Sequence, residues 1–163
     1  MAGPNFTLIS ELQTLTRRDF PPADATLLQP YAANPLVDGE FLGLDTNYKI
    51  ARGAAGVGGT HEGDSALVYP LFTERGRYDT QAIGKSTILM FGMYEAETSV
   101  ATTAGLALGD ALTVQDVTFQ ALTRRGLAKK VAAAGTGIVV VGFVSKILTG
   151  KVRFVHYANQ KLF

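Results

Sequence analysis

The chain contains no cysteine in its 163 residues. That excludes disulfide staples and thiolate metal sites, and it fits assembly in a reducing cytoplasm. Histidine is nearly absent too, with only His61 and His156 to serve as neutral-pH bases or metal ligands. No apolar run approaches the ~20 residues of a membrane span. The N-terminus lacks the basic and apolar regions of a signal peptide. Acid is missing from one end: all 14 acidic residues lie at or before Asp116, and eight Lys and Arg follow it.

What remains is the composition of a globular protein. Hydrophobic residues make up 47% and charged residues 18%, enough for one domain with a proper core. The net charge of +1 conceals a split of −7 over residues 1–116 and +8 over the rest. Either the two parts interleave in one sheet system and neutralise each other across strands, or the basic part forms a surface for an acidic partner. The 18 glycines mostly sit between apolar runs, where β-turns belong.

Residues 30–50 set the class. An Asn34-Pro35 break and an Asp38-Gly39 turn lead into an alternating run. Leu42, Leu44, Tyr48 and Ile50 share one face, and Asp45, Asn47 and Lys49 the other, as in a half-buried antiparallel strand. Strand patterns recur over 65–72 (with Pro70 marking an edge), 87–98 and 112–119. Residues 119–133 read as a hairpin turning near Arg125-Gly126, with a short helix over 127–134 as the rival reading. The β-branched run 138–144 predicts a buried central strand. A Thr149-Gly150 turn then leads to a last strand over 151–158. Six to eight short strands point to an all-β barrel or sandwich.

Residues 1–29 differ. Phe6, Leu8, Leu12 and Leu15 have approximate helical spacing, Arg17-Arg18 follow, and Pro21-Pro22 stops any helix. The segment is either a short amphipathic helix or an extended arm. Its apolar residues either pack on a neighbour or cap the protein's own core. The expected organisation is an N-terminal arm over 1–29 and a β-domain over 30–163.

Catalytic signatures are lacking. The Gly-rich stretch 53–63 fails the dinucleotide fingerprint, because His61 stands where a third glycine is needed. Gly84-Lys85-Ser86-Thr87 mimics the end of a P-loop, but Asp79 occupies the place of its upstream glycine. His61, Glu62 and Asp64 lie together on a glycine loop that preorganises them poorly for a metal. His156 shares a face with Val152 and Phe154 and reads as a satisfied sheet residue. Glu95 and Glu97 share one side of a strand and read as a solvated strand end, not a carboxylate pair across a cleft. Near the basic end, only Tyr157 is placed as a stacking platform for single-stranded nucleic acid. No catalytic, cofactor-binding or metal residue is assigned, and an enzyme is not expected.

Several motifs, taken in order, resemble the capsid decoration (cement) proteins of tailed bacteriophages. They are N-P-L…D-G-E-F-L over 34–42, I-L-M-F-G-M-Y-E-A-E-T over 88–98, G-D-x-L-x-V over 109–114, and G-F-V…T-G-K-V-R-F-V over 142–155. The resemblance covers most of the chain after residue 30. It implies a small antiparallel β-barrel or tulip-like domain with an extended or short-helical N-terminal arm. It also implies a homo-oligomer, a trimer or a dimer, on the capsid surface of a virion, made in the host cytoplasm. The major capsid protein would be its partner, with no membrane, no specific nucleic acid and no cofactor. Under that reading Phe6, Leu8, Leu12, Leu15, Arg17 and Arg18 are the expected interface with the capsid or a second copy. A tail-tube or head-completion protein is the alternative, and a nucleic-acid-binding module a further one.

Overall fold

The computed structural model describes residues 5–24, 33–44, 47–52, 69–70, 86–129 and 140–157. Among these there is no helix. The strands in chain order are β1 (Phe6–Glu11), β2 (Thr16–Phe20), β3 (Phe41–Leu44), β4 (Ile50–Ala51), β5 (Tyr69–Pro70), β6 (Ser86–Phe91), β7 (Met93–Thr98), β8 (Ala111–Phe119), β9 (Leu122–Lys129), β10 (Gly142–Leu148) and β11 (Lys151–Tyr157). The all-β class expected from the turn spacing is the class the chain adopts. Six strands form one curled antiparallel sheet, a half-barrel, in the order β1-β7-β11-β10-β8-β9. Beside it lie a β2-β6 pair and a three-stranded β4-β3-β5 sheet.

The inside of the half-barrel follows from period-two alternation. On β7, Tyr94, Ala96 and Thr98 are buried; on β11, Val152, Phe154 and His156 are buried. The register joins them directly, with Thr98 opposite Val152, Ala96 opposite Phe154 and Tyr94 opposite His156. Leu112, Val114, Leu127, Val141 and Val144 complete the same core from β8, β9 and the entry to β10. Strand β3 separates this core from a smaller one, because adjacent residues on a strand face opposite ways. Phe41 belongs to the large cluster, and Leu42 joins Ile50 in the small one.

Three local expectations are corrected, and one left open is decided. The N-terminal segment is extended and not helical, with β1 paired with β7 and β2 paired with β6. The run at 40–50 is a hairpin and not one strand. Tyr48, at its turn, has φ +56° and is 71% exposed, so it shares no buried face with Leu42. The β8–β9 hairpin turns at Gln120-Ala121, both with positive φ (+52° and +60°), the backbone of a tight two-residue turn. Arg125-Gly126 therefore lies in mid-strand, and the strand continues through Lys129 where a helix was the rival reading. Finally, 87–98 is two strands in two sheets.

The break in that last run is Gly92, with φ +111°. A methyl there would lie 2.6 Å from Leu15 Cδ2 and 2.8 Å from the Thr14 carbonyl oxygen. Only glycine combines that backbone conformation with that closeness. Gly92→Ala is expected to cost about 1–3 kcal/mol, measured as a shift of the urea unfolding midpoint. A midpoint unchanged from the parent would mean that β6 and β7 are joined by a less demanding path.

Candidate functional site

The most polar interior site is built around Glu40, whose side chain is fully buried. The turn 38–39 brings it in: Gly39 has φ +90° and is itself buried. Glu40 then accepts from three directions. Its Oε2 accepts from Arg52 Nε at 2.7 Å, and its Oε1 accepts from Arg52 Nη2 at 2.8 Å and Arg124 Nη1 at 2.6 Å. The Val37 amide adds a fourth bond to Oε1 at 3.2 Å. Both arginines also donate to the main chain of the preceding loop. Arg52 reaches the Asn34 carbonyl at 2.7 Å and the Pro35 carbonyl at 2.9 Å, and Arg124 reaches the Pro35 carbonyl as well. The Asn34 side-chain amide closes the ring by donating to the Thr123 carbonyl at 3.1 Å.

Three separate pieces of chain thus meet on one carboxylate: loop 33–40, Arg52 just after β4, and Arg124 on β9. Charge-assisted, two-pronged bonds of this kind are directional as well as strong. The desolvation cost is large, and the arrangement is favourable only while every partner is present. It is not fully satisfied even so, since Arg124 Nε and Asn34 Oδ1 are buried without a hydrogen bond.

A second polar site lies on the other side of β3. His156 is fully buried among rings, with centroids 5.0 Å from Tyr94, 5.7 Å from Phe41 and 6.4 Å from Phe154. Neither ring nitrogen makes a hydrogen bond, and neither does the Tyr94 hydroxyl. The expectation of a satisfied sheet histidine is therefore half right: the face is as expected, the satisfaction is not. Burial pulls the His156 pKa down to about 4. The Val141 backbone pulls the other way, more weakly. Burial likewise pushes the Tyr94 phenol well above its ordinary value.

The charge split resolves into cross-strand pairs. Glu40 with Arg124, Asp116 with Arg125, Asp110 with Lys129 and Glu97 with Arg153 each join an acid of the first part to a base of the last. The Lys129 hydrogen bond, with help from the Ala107 amide, holds the half-buried Asp110 carboxyl below its ordinary value. Glu97 sits on the outer face directly opposite Arg153, whose Nε donates to it at 2.9 Å. Glu95 accepts from Ser145 Oγ at 2.7 Å.

The six expected interface residues are dispersed. Phe6 is buried and stacks edge-on to Tyr94 at 6.4 Å. Leu15 is buried in the same core, and Leu8 packs against it. Leu12 is 48% exposed, and Ile9, which helical spacing passes over, is 39% exposed. Arg17 and Arg18 lie on β2, opposite Leu89 and Ile88. Period two counted from Phe6 is the signal that separates Ile9 from Phe6 and Leu8. His61, Glu62 and Asp64 fall outside the described residues, as does the Gly-rich stretch 53–63. Among the described residues no three metal-ligating side chains cluster, and no helix is long and apolar enough to cross a membrane. No family model matches the chain, and no curated protein or solved structure matches it either.

Removing Arg124 leaves the buried Glu40 carboxylate with only part of its compensation. Arg124→Met is expected to destabilise the fold by about 3–5 kcal/mol, read from equilibrium unfolding in urea. Arg124→Lys should recover only part of that loss, because the shorter lysine side chain does not carry its nitrogen to where Arg124 Nη1 bonds both Glu40 and the Pro35 carbonyl. A loss below about 1 kcal/mol, the level of an exposed ion pair, would show that the network is peripheral to stability.

Proposed function

We propose that this protein is a virion structural protein that binds the outer surface of a tailed-phage capsid and stabilises the expanded shell across capsomer seams. The observation that carries this reading is where the resembling motifs fall in the fold. Residues 34–42 supply the Glu40 network and the start of β3, and 88–98 supply the step from β6 to β7. Residues 109–114 lead into β8, and 142–155 form most of the β10–β11 hairpin. The motifs are thus the frame of the domain, as expected if the likeness extends to a whole small β-barrel or tulip-like fold.

The physics of such a role suits a rigid β-domain. A protein that binds two or three subunits across a seam binds only the assembled shell, and so favours assembly by mass action. As a trimer or dimer it gains avidity, because linked sites raise one another's effective concentration. Of the four apolar residues among the expected interface residues, Leu12 is the one with substantial exposure. With Ile9 it gives an apolar surface at the edge strand.

The test is cosedimentation of the purified protein with expanded heads, unexpanded heads serving as control. Saturable binding to expanded heads alone is expected. The double substitution Ile9→Glu with Leu12→Glu should weaken that binding at least tenfold while leaving the unfolding midpoint near the parent's. Deleting residues 1–20 is a poorer test, since it also removes Phe6 and Leu15 from the core. Binding to neither form of head would sink the reading.

A further inference from the structure

We propose that His156 is an acid-sensitive latch: protonating its ring inside the box of Phe41, Tyr94 and Phe154 loosens the joint between the half-barrel and the β4-β3-β5 sheet, while the β8–β9 hairpin stays closed. This does not rest on the capsid reading.

The geometry has three parts. First, Phe41 is the β3 residue that enters the half-barrel core, and it packs on both Phe154 and His156, at 6.2 and 5.7 Å between centroids. Second, the box offers a cation no counter-charge among the described residues. On β7, Glu95 and Glu97 lie on the outer face, bound to Ser145 and Arg153. On β11, Arg153 lies on that outer face too, and on β10 Lys146 is exposed. Next to β3, Glu40 is held by two arginines. The titratable group opposite His156 across the strands is Tyr94, a neutral phenol. Third, the β8–β9 hairpin is fastened by its own register over eight residue pairs and makes no ring contact with His156.

The direction follows from linkage. Opened to water, the imidazole titrates near 6.5; closed, it resists protonation until about 4. Acid therefore favours the opened joint from about pH 6.5 downward, and the effect saturates below about pH 4. Above that window both states are neutral and the latch contributes nothing. The opened joint should be roughly 20-fold more populated at pH 5 than at pH 7.

Two measurements test this on the full chain. Ring-proton NMR of His156 is the first, with His61→Gln used to leave a single histidine signal. A titration at or below about 4.5 is expected, whereas a midpoint near 6.5 would overturn the proposal. The second is amide hydrogen exchange at pH 7 and pH 5, corrected for intrinsic rates. Protection over 41–44 and 50–51 should fall about 20-fold relative to 112–119 and 122–129. In His156→Phe, or in His156→Gln if the first fails to fold, that relative fall should vanish. Equal loss in both regions, or the same selective loss in the variant, would overturn the latch.

Discussion

Glu40 is the residue on which the arrangement of the chain depends. A carboxylate with no solvent contact is tolerable only when its lost hydration is replaced by fixed donors. Here the replacements are two guanidinium groups and a main-chain amide, and they come from places far apart in sequence. Loop 33–40 must run where its Asn34 and Pro35 carbonyls can occupy the remaining arginine donors. The β3–β4 hairpin must deliver Arg52, and β9 must deliver Arg124. Apolar packing alone would tolerate small slides of the three-stranded sheet on the half-barrel. A bidentate ion pair does not, because its bonds weaken steeply with misalignment.

The register of β7 against β11 has the same character at a larger scale. Because side chains alternate, one set of pairings places Tyr94, Ala96, Thr98, Val152, Phe154 and His156 inside. The same pairings place Glu95, Glu97, Arg153 and Val155 on the other face. A slip by one residue would exchange the two sets. The pairing of Glu97 with Arg153 then adds modestly to a choice already made by the core. This explains how a chain with all its acid in the first 116 residues and eight bases after them forms one six-stranded sheet. Strands from the two parts are neighbours, so local neutrality is restored in space although it is absent along the sequence.

The legible parts of the chain were those where a local pattern and the tertiary demand coincide. β8 and β11 are nearly as the alternation predicts, because each is buried on one face; β10 is Gly142–Leu148 and not the run 138–144, and its Ser145, Lys146 and Ile147 are exposed. The errors have particular causes. Gly126 reads as a turn, but it sits in mid-strand where the Val100 carbonyl leaves no room for a side chain. Gln120-Ala121 carries no turn residue of the usual kind, yet both residues adopt the left-handed conformation. The spacing of Phe6, Leu8, Leu12 and Leu15 fits a helix, but bulges and a chain reversal can produce that spacing too. The β1–β7 pairing is irregular between Leu8 and Ser10. The Glu40 network was beyond reach of a single sequence, since its members are 12 and 84 residues apart and none belongs to a motif that announces a buried charge.

β3 is held differently on its two sides. Glu40, just before it, is bound by short charged hydrogen bonds from two arginines. Phe41, the next residue, is held by ring packing against a histidine whose ring nitrogens make no hydrogen bond. Neighbouring residues therefore answer to different physical variables: one to the integrity of an ion pair, the other to the protonation of an imidazole. A strand fastened in this way pivots before it detaches. Loss of the ring contact frees the inner end of the side-chain packing, while the carboxylate clamp keeps the loop 33–40 and β9 in register. That asymmetry is what separates a local, reversible opening at Phe41 from simple acid unfolding of the whole domain.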